Sequence, residues 1–458
     1  MKKISSFLIV LALLFSLSGC RIFGQKNMKI NGVSIKEYQI VCDKDGLDYN
    51  IRAAEYISDS IKQLTGRTLS VVDDSEAKAE YEIVVGETSR EISLELNTEL
   101  SGVEFSVLTK NGSVALEANY FVIAAAAYYF VDTYVKAGDV AMTDGTLTRE
   151  PIIKEAKSYV LLIGDGMGVN HTMLHNYLED TTDYSDGESI FYGYMLPYQG
   201  FSRTNSYSGT TDSAAGGTAL STGYKTLNEY IGIDKDKNEL KSLTELSAEL
   251  GKASAVMSTE INTGATPASF SAHTDSRNNR NDINSDQSEL TLKNGTVIDC
   301  HSYTQYAARY LNSNEKRIAD TLKTLNSDED GFFIMYEEAH IDKHSHDNNM
   351  EKTFLALLSF NQAIARFMEF AFYNPDTVVI ITADHETGAL LENEDGTLSY
   401  NSEDHSSADV PVFAWGYRAE FFHGKCIENI EIPHFISSSM GVDDFGDRTN
   451  GWYADIYG

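Results

Sequence analysis

"SYVLLIGDG", residues 158–166, is the stretch on which the fold turns. Tyr159 to Ile163 is an unbroken apolar run, too short for a typical helix and without the alternation of a half-exposed strand. It therefore reads as a strand buried on both faces. "ASAVMST" (253–259), "FFIMYEE" (332–338), "TVVIITADHE" (377–386) and "VPVFAWG" (410–416) repeat the pattern, with helical segments between several of them. That alternation predicts an α/β fold with a mainly parallel central sheet flanked by helices, over residues 149–458. The polar stretch 278–297 reads as a surface loop within it.

Upstream, residues 29–148 predict a small α+β domain. "IRAAEYISDSIKQLTG" (51–66) places Ile51, Ala54, Ile57, Ile61 and Leu64 at helical spacing and stops at Gly66. "LSVV" and "YEIVVG" read as strands, and "VEFSVLTKNGSVALEA" as a hairpin turning at Asn111-Gly112. "YFVIAAAAYYFVDTYV" (120–135) is apolar but shorter than a bilayer requires and contains Asp132, so it reads as a packed helix.

The first 20 residues, "MKKISSFLIVLALLFSLSGC", have the basic start, apolar middle and small-residue end of a secretory signal. Residues 21–28 read as a tether. The ending Leu17-Ser18-Gly19-Cys20 resembles the lipobox of bacterial lipoproteins. That resemblance implies lipidation at Cys20 and a chain exported and lipid-anchored to the cell envelope; an ordinary signal peptide is the alternative. Three further cysteines, Cys42, Cys300 and Cys426, allow at most one disulfide and match no zinc-site spacing.

With 458 residues, 42% hydrophobic and 23% charged, the composition is that of a globular chain. A net charge of −32 argues against nucleic acid as a partner, since no basic excess exists to neutralise phosphates.

Several strands end in a potential metal ligand: Asp165 after "VLLIG", Glu337 after "FFIMY", Asp384 and His385 after "VVIITA". In open α/β sheets, ligands bind outside the carboxyl ends of the strands. Asp342 and His346 are four apart, so on a helix they share one face and can grip a single ion. His340 and His344 read as surface histidines. His405 precedes another strand. Mixed oxygen and imidazole donors suit zinc or a related ion, and an oxygen-rich subset suits magnesium. Two metals about 3.5–4 Å apart clamp the attacking and leaving oxygens in phosphoryl transfer.

"GTTDSAAGGTALSTGYKT" (209–226) supplies the nucleophile candidate, Ser213, followed by small residues. A serine hydroxyl needs a base or metal to ionise at neutral pH. The run reads either as a loop or as a helix whose N-terminus approaches an anion closely. A plain N-cap explains the serine but leaves the small residues unexplained.

"LLIGDGMG", "TDSAAGGTALSTGYKT", "ATPASFSAHTDSR", "GFFIMYEEAHIDKHSH", "TADHETGAL" and "DHSSADVPVFAWG" occur in the order and contexts of the alkaline phosphatase family, which this chain resembles over about residues 155–420. The resemblance implies hydrolysis of small phosphate monoesters through a phosphoserine at Ser213, with Asp212 orienting Arg277 on the phosphoryl group. It implies one zinc ion on Asp342, His346 and His405, a second on Asp165, Asp384 and His385, and magnesium on Asp165, Thr266 and Glu337. Lys343 either contacts phosphate through water or is a solvated lysine. Where the family commonly carries Asp or His, two residues before Thr266, this chain has Gly264, which predicts weaker magnesium binding.

A phosphodiesterase or nucleotide pyrophosphatase on the same scaffold is the nearest rival, and an inactive surface-binding lipoprotein a more distant one. A sulfatase is disfavoured, because no cysteine stands in a C-x-P-x-R motif. The phrase "AAEYISDSIKQLTG…IVVG" resembles the N-terminal accessory domain of several glycoside hydrolases, which implies a spacer or a carbohydrate-facing module. A homodimer is compatible with the sequence and undecided by it.

Overall fold

The computed structural model describes residues 28–96, 99–173, 190–302 and 308–448. The leader, Cys20 and nearly all of the tether lie outside the described residues. The chain divides into two compact units, 1–152 and 153–458.

In the first unit, a six-stranded sheet runs Val71–Asp73, Tyr38–Cys42, Tyr81–Val85, Ser113–Ala118, Phe105–Lys110, Gly145–Arg149. The first four strands are parallel and the last two pair antiparallel. The helix Asp48–Thr65 buries Ala54, Ile57 and Ile61 and ends at Gly66 in the left-handed region. The apolar stretch after Asn119 is helical and buried, closing in a π-turn over Val131–Val135. Asn111 and Gly112, both at positive φ, make the expected hairpin turn.

In the second unit, an eight-stranded sheet has the order Val297–Cys300, Ala253–Ser258, Phe332–Glu338, Ser158–Gly164, Thr377–Thr382, Val410–Trp415, Tyr198–Arg203, Cys426–Glu428. Among the described strands only Val410–Trp415 runs against the rest. Apolar runs carry no direction, so sequence cannot expose this reversal.

Both faces of the sheet are covered, which is why its strands are continuously apolar. Tyr159, Leu161 and Ile163 pack with Leu220, Leu243, Leu246, Ile432 and Phe435. The helix Met350–Tyr373 packs against Ser158–Gly164, Phe332–Glu338 and Thr377–Thr382.

The polar stretch 278–297 is not a loop. Arg280–Asn294 is a helix, ended by Gly295 at φ 69°, and only Ile283, Gln287 and Leu290 are buried. Two buried apolar residues, Ile283 and Leu290, with Leu292 exposed, are too weak a stripe to announce it. Among the described residues no helix is long and apolar enough to cross a membrane. Cys42, Cys300 and Cys426 are all unbridged.

Candidate active site

The question posed by residues 209–226 has a geometric answer. Ser213–Thr222 is a helix, and all ten of its residues are buried. Asp212 is its N-cap, accepting from Ala215 N at 3.0 Å, so Ser213 is not the cap but the first helical residue. The small residues permit close approach. A Cβ on Gly216 would stand 2.8 Å from the carbonyl oxygen of Asp384, and one on Gly217 would stand 3.0 Å from Ser269 Oγ. The helix thus rests directly on the end of the Thr377–Thr382 strand and on the short helix Ala265–Ser269.

Ser213 Oγ lies 3.2 Å from His385 Nε2. That ring nitrogen is also 3.5 Å from Asp165 Oδ1 and 3.4 Å from Asp384 Oδ2. His405 is brought in by a two-stranded ribbon in which Thr387 pairs with His405, and the His385 and His405 rings stack at 3.7 Å. His405 Nε2 faces His346 Nε2 at 3.1 Å and Asp342 Oδ1 at 3.6 Å.

Asp342 and His346 share one face of the helix His340–His346, as their spacing predicts, with His346 Nε2 3.3 Å from Asp342 Oδ1. Gly166 makes room: at φ 73°, a Cβ there would lie 2.8 Å from Asp342 Cα. Ligand atoms converge in two overlapping groups: Asp342, His346 and His405; and Asp165, Asp342 and His385. Asp342 is thus shared between them, where the resemblance assigns it to one ion.

Several donors lack partners. Asp165 Oδ1, Asp384 Oδ2 and Thr266 Oγ1 are buried without hydrogen bonds. Buried polar atoms are rarely orphaned, so these fit a site completed by bound cations. Burial and the crowding of carboxylates push Asp165 well above the usual range, Asp384 up to about 8 and Glu337 up to about 7. Burial, with His405 and Arg277 nearby, drives His385 well below its ordinary value and keeps its nitrogen free to ligate. Imidazoles and carboxylates together match zinc. The oxygen donors Asp165, Glu337 and Thr266, whose hydroxyl faces Glu337, match magnesium.

Arg277 Nη1 sits 3.2 Å from Asp212 Oδ2, which also accepts from Glu229 N at 3.0 Å. Burial opposes its charge, but Asp212 and Asp165 hold the guanidinium firmly ionised. Among the described residues, the candidate residues named from the sequence therefore gather in or beside one cluster.

His340 departs from expectation: it is buried, not on the surface, and its Nδ1 is 3.3 Å from both Glu338 Oε1 and Thr259 Oγ1. Two further residues contribute to the site. Thr387 donates to Asp342 Oδ1 at 2.5 Å. Glu260 pairs with Lys343. Glu260 lies just past the end of the strand Ala253–Ser258, the same signal that marked Asp165 and Glu337.

The family model for alkaline phosphatase matches residues 156–309 and 311–397. Alkaline phosphatase 3 of Bacillus subtilis is 31% identical over 300 residues, 54% of this chain and 65% of that relative's length. The alkaline phosphatase from the Antarctic bacterium TAB5 superposes with a TM-score of 0.55 at 28% identity, covering 63% of this chain and 99% of that one. A variant of the TAB5 enzyme with bound magnesium has a TM-score of 0.53 at 26% identity, covering 64% of this chain and 99% of that one.

The fold and the converging carboxylates and imidazoles are of the kind found in metal-dependent phosphoester hydrolases. The chain belongs to the alkaline phosphatase family.

Proposed function

We propose that this chain hydrolyses small phosphate monoesters in two in-line steps through a phosphoserine at Ser213. The observation that carries the reading is Ser213 Oγ at 3.2 Å from His385 Nε2, on a helix N-terminus whose cap, Asp212, also holds Arg277. Free N–H groups and Arg277 together present donors to the three unsubstituted oxygens of a monoester, and a guanidinium fork can take two of them.

Asp342, His346 and His405 would hold one zinc ion; Asp165, Asp384 and His385 a second; Asp165, Thr266 and Glu337 magnesium. When bound, these cations would supply Lewis-acid stabilisation of the serine and leaving-group oxygens. The chain itself aims Ser213 by burying its helix, keeps His385 neutral, and fixes Arg277 through Asp212. The same reading puts the protein outside the cytoplasm, lipid-anchored at Cys20; its support is the leader sequence, and Cys20→Ala should release the chain from membranes.

The test is p-nitrophenyl phosphate hydrolysis at alkaline pH by chelator-stripped protein, before and after zinc is restored. Zinc should restore turnover in the wild type, while Ser213→Ala should lose about a thousandfold or more and keep its melting temperature. Full turnover in Ser213→Ala would reject the nucleophile.

A further inference from the structure

Gly264 does not leave its corner of the cleft bare, as its place in the sequence implies. It caps the short helix Ala265–Ser269, which carries Thr266. A Cβ built on Gly264 would stand 2.6 Å from Glu260 Oε1 and 2.7 Å from Glu260 Cγ and Cδ. The volume that a side chain at 264 would occupy is already filled by a carboxylate arriving from four residues upstream.

That carboxylate is anchored and directed. Glu260 N donates to Ser258 Oγ at 2.8 Å, and Ser258 Oγ donates in turn to Glu337. One hydroxyl therefore ties Glu260 to a cation ligand. On its other side Glu260 pairs with Nζ of Lys343, the residue that follows Asp342. Its charge is felt at Glu337 and at Asp165.

From this arrangement we infer that Glu260 replaces, from the loop after the strand Ala253–Ser258, the side chain missing at position 264: it fixes Lys343 and lends a negative charge to the cation site of Asp165, Thr266 and Glu337. The inference rests on the phosphatase reading only in its assignment of that cation site. Lys343 neutralises one charge in the group. Asp165, Glu337 and Glu260 together exceed what a single lysine balances, and a hard divalent cation meets the remainder. An ordinary surface ion pair between Lys343 and Glu260 would contribute little and leave cation affinity unchanged.

The experiment titrates magnesium into the zinc-loaded full chain by calorimetry, with manganese electron paramagnetic resonance as an independent reading, and needs no substrate. Glu260→Gln, which keeps the shape, and Glu260→Ala should each weaken magnesium binding about tenfold or more. Gly264→Asp placed in the Glu260→Ala background should restore most of that loss, because the removed side chain vacates the space. Unchanged affinity in Glu260→Gln, or a double variant that binds no better than Glu260→Ala, would overturn the inference. Since binding is measured directly, absence of turnover in the wild type would count against the phosphatase reading alone.

Discussion

Asp212 Oδ2 lies 3.2 Å from Arg277 Nη1 while Oδ1 of the same carboxylate caps the helix that begins at Ser213. One side chain therefore sets both the direction of the helix that begins at Ser213 and the position of the guanidinium. The two roles use different oxygens and can be separated by substitution.

Asp212→Asn keeps an acceptor for Ala215 N but removes the charge that holds Arg277. Losing the acceptor for Glu229 N should cost about 1 kcal/mol, while kcat/KM should fall roughly 10–100-fold, the scale of one lost hydrogen bond to a charged group, with KM rising. Asp212→Ala should show the same kinetic loss and cost about 1 kcal/mol more in stability from the missing cap. Equal stabilities for the two variants would remove the capping role.

Gly216→Ala should be the most damaging single methyl in this helix. Its Cβ meets the backbone oxygen of Asp384 at 2.8 Å, which cannot rotate away, whereas Gly217→Ala meets the hydroxyl of Ser269 at 3.0 Å. Overpacking of this kind costs about 1–3 kcal/mol. Gly216→Ala should therefore melt earlier than Gly217→Ala and retain less zinc after dialysis; the reverse order in calorimetry would contradict the packing account.

Metal-free protein should lose stability as pH rises from about 6.5 to about 8. Burial, then Asp342, raises Asp384 to about 8, and burial, then Glu260, raises Glu337 to about 7. In the unfolded chain both are ionised above pH about 4–5. Over that window the folded state holds more protons, so unfolding is favoured by rising pH. Below about 6.5 His385, neutral when folded, protonates in the unfolded chain and acts in the opposite sense. Zinc should flatten or invert the slope, because binding it requires the ionised carboxylates. A melting temperature of stripped protein that climbs steadily through pH 8 would refute this.

How far the sequence discloses the site depends on whether the cause is local. Asp342 and His346 are legible because a four-residue spacing fixes a shared helix face, and Asp165, Asp384 and His385 because strand ends carry ligands in such folds. Asp342 serving both groups of donors is not legible, since it depends on how near the Thr387–His405 ribbon brings the imidazoles. Glu260 also stands at a strand end, but its place in the space beside Gly264 and its pairing with Lys343 depend on tertiary packing, and sequence records residues, not spaces. The reversed strand Val410–Trp415 and the weakly striped helix Arg280–Asn294 show the same limit in the fold.

The contact between Gly216 and the carbonyl of Asp384 has a mechanical meaning. It lets the Ser213 helix and the segment carrying Asp384 and His385 meet main chain to main chain, with no rotatable side chain between them. Their separation is then governed by hard-sphere contact, which tolerates only tenths of an ångström, and not by the wider play of rotamers. Here the gauge that spaces Ser213 from Asp384 and His385 is the polypeptide backbone itself.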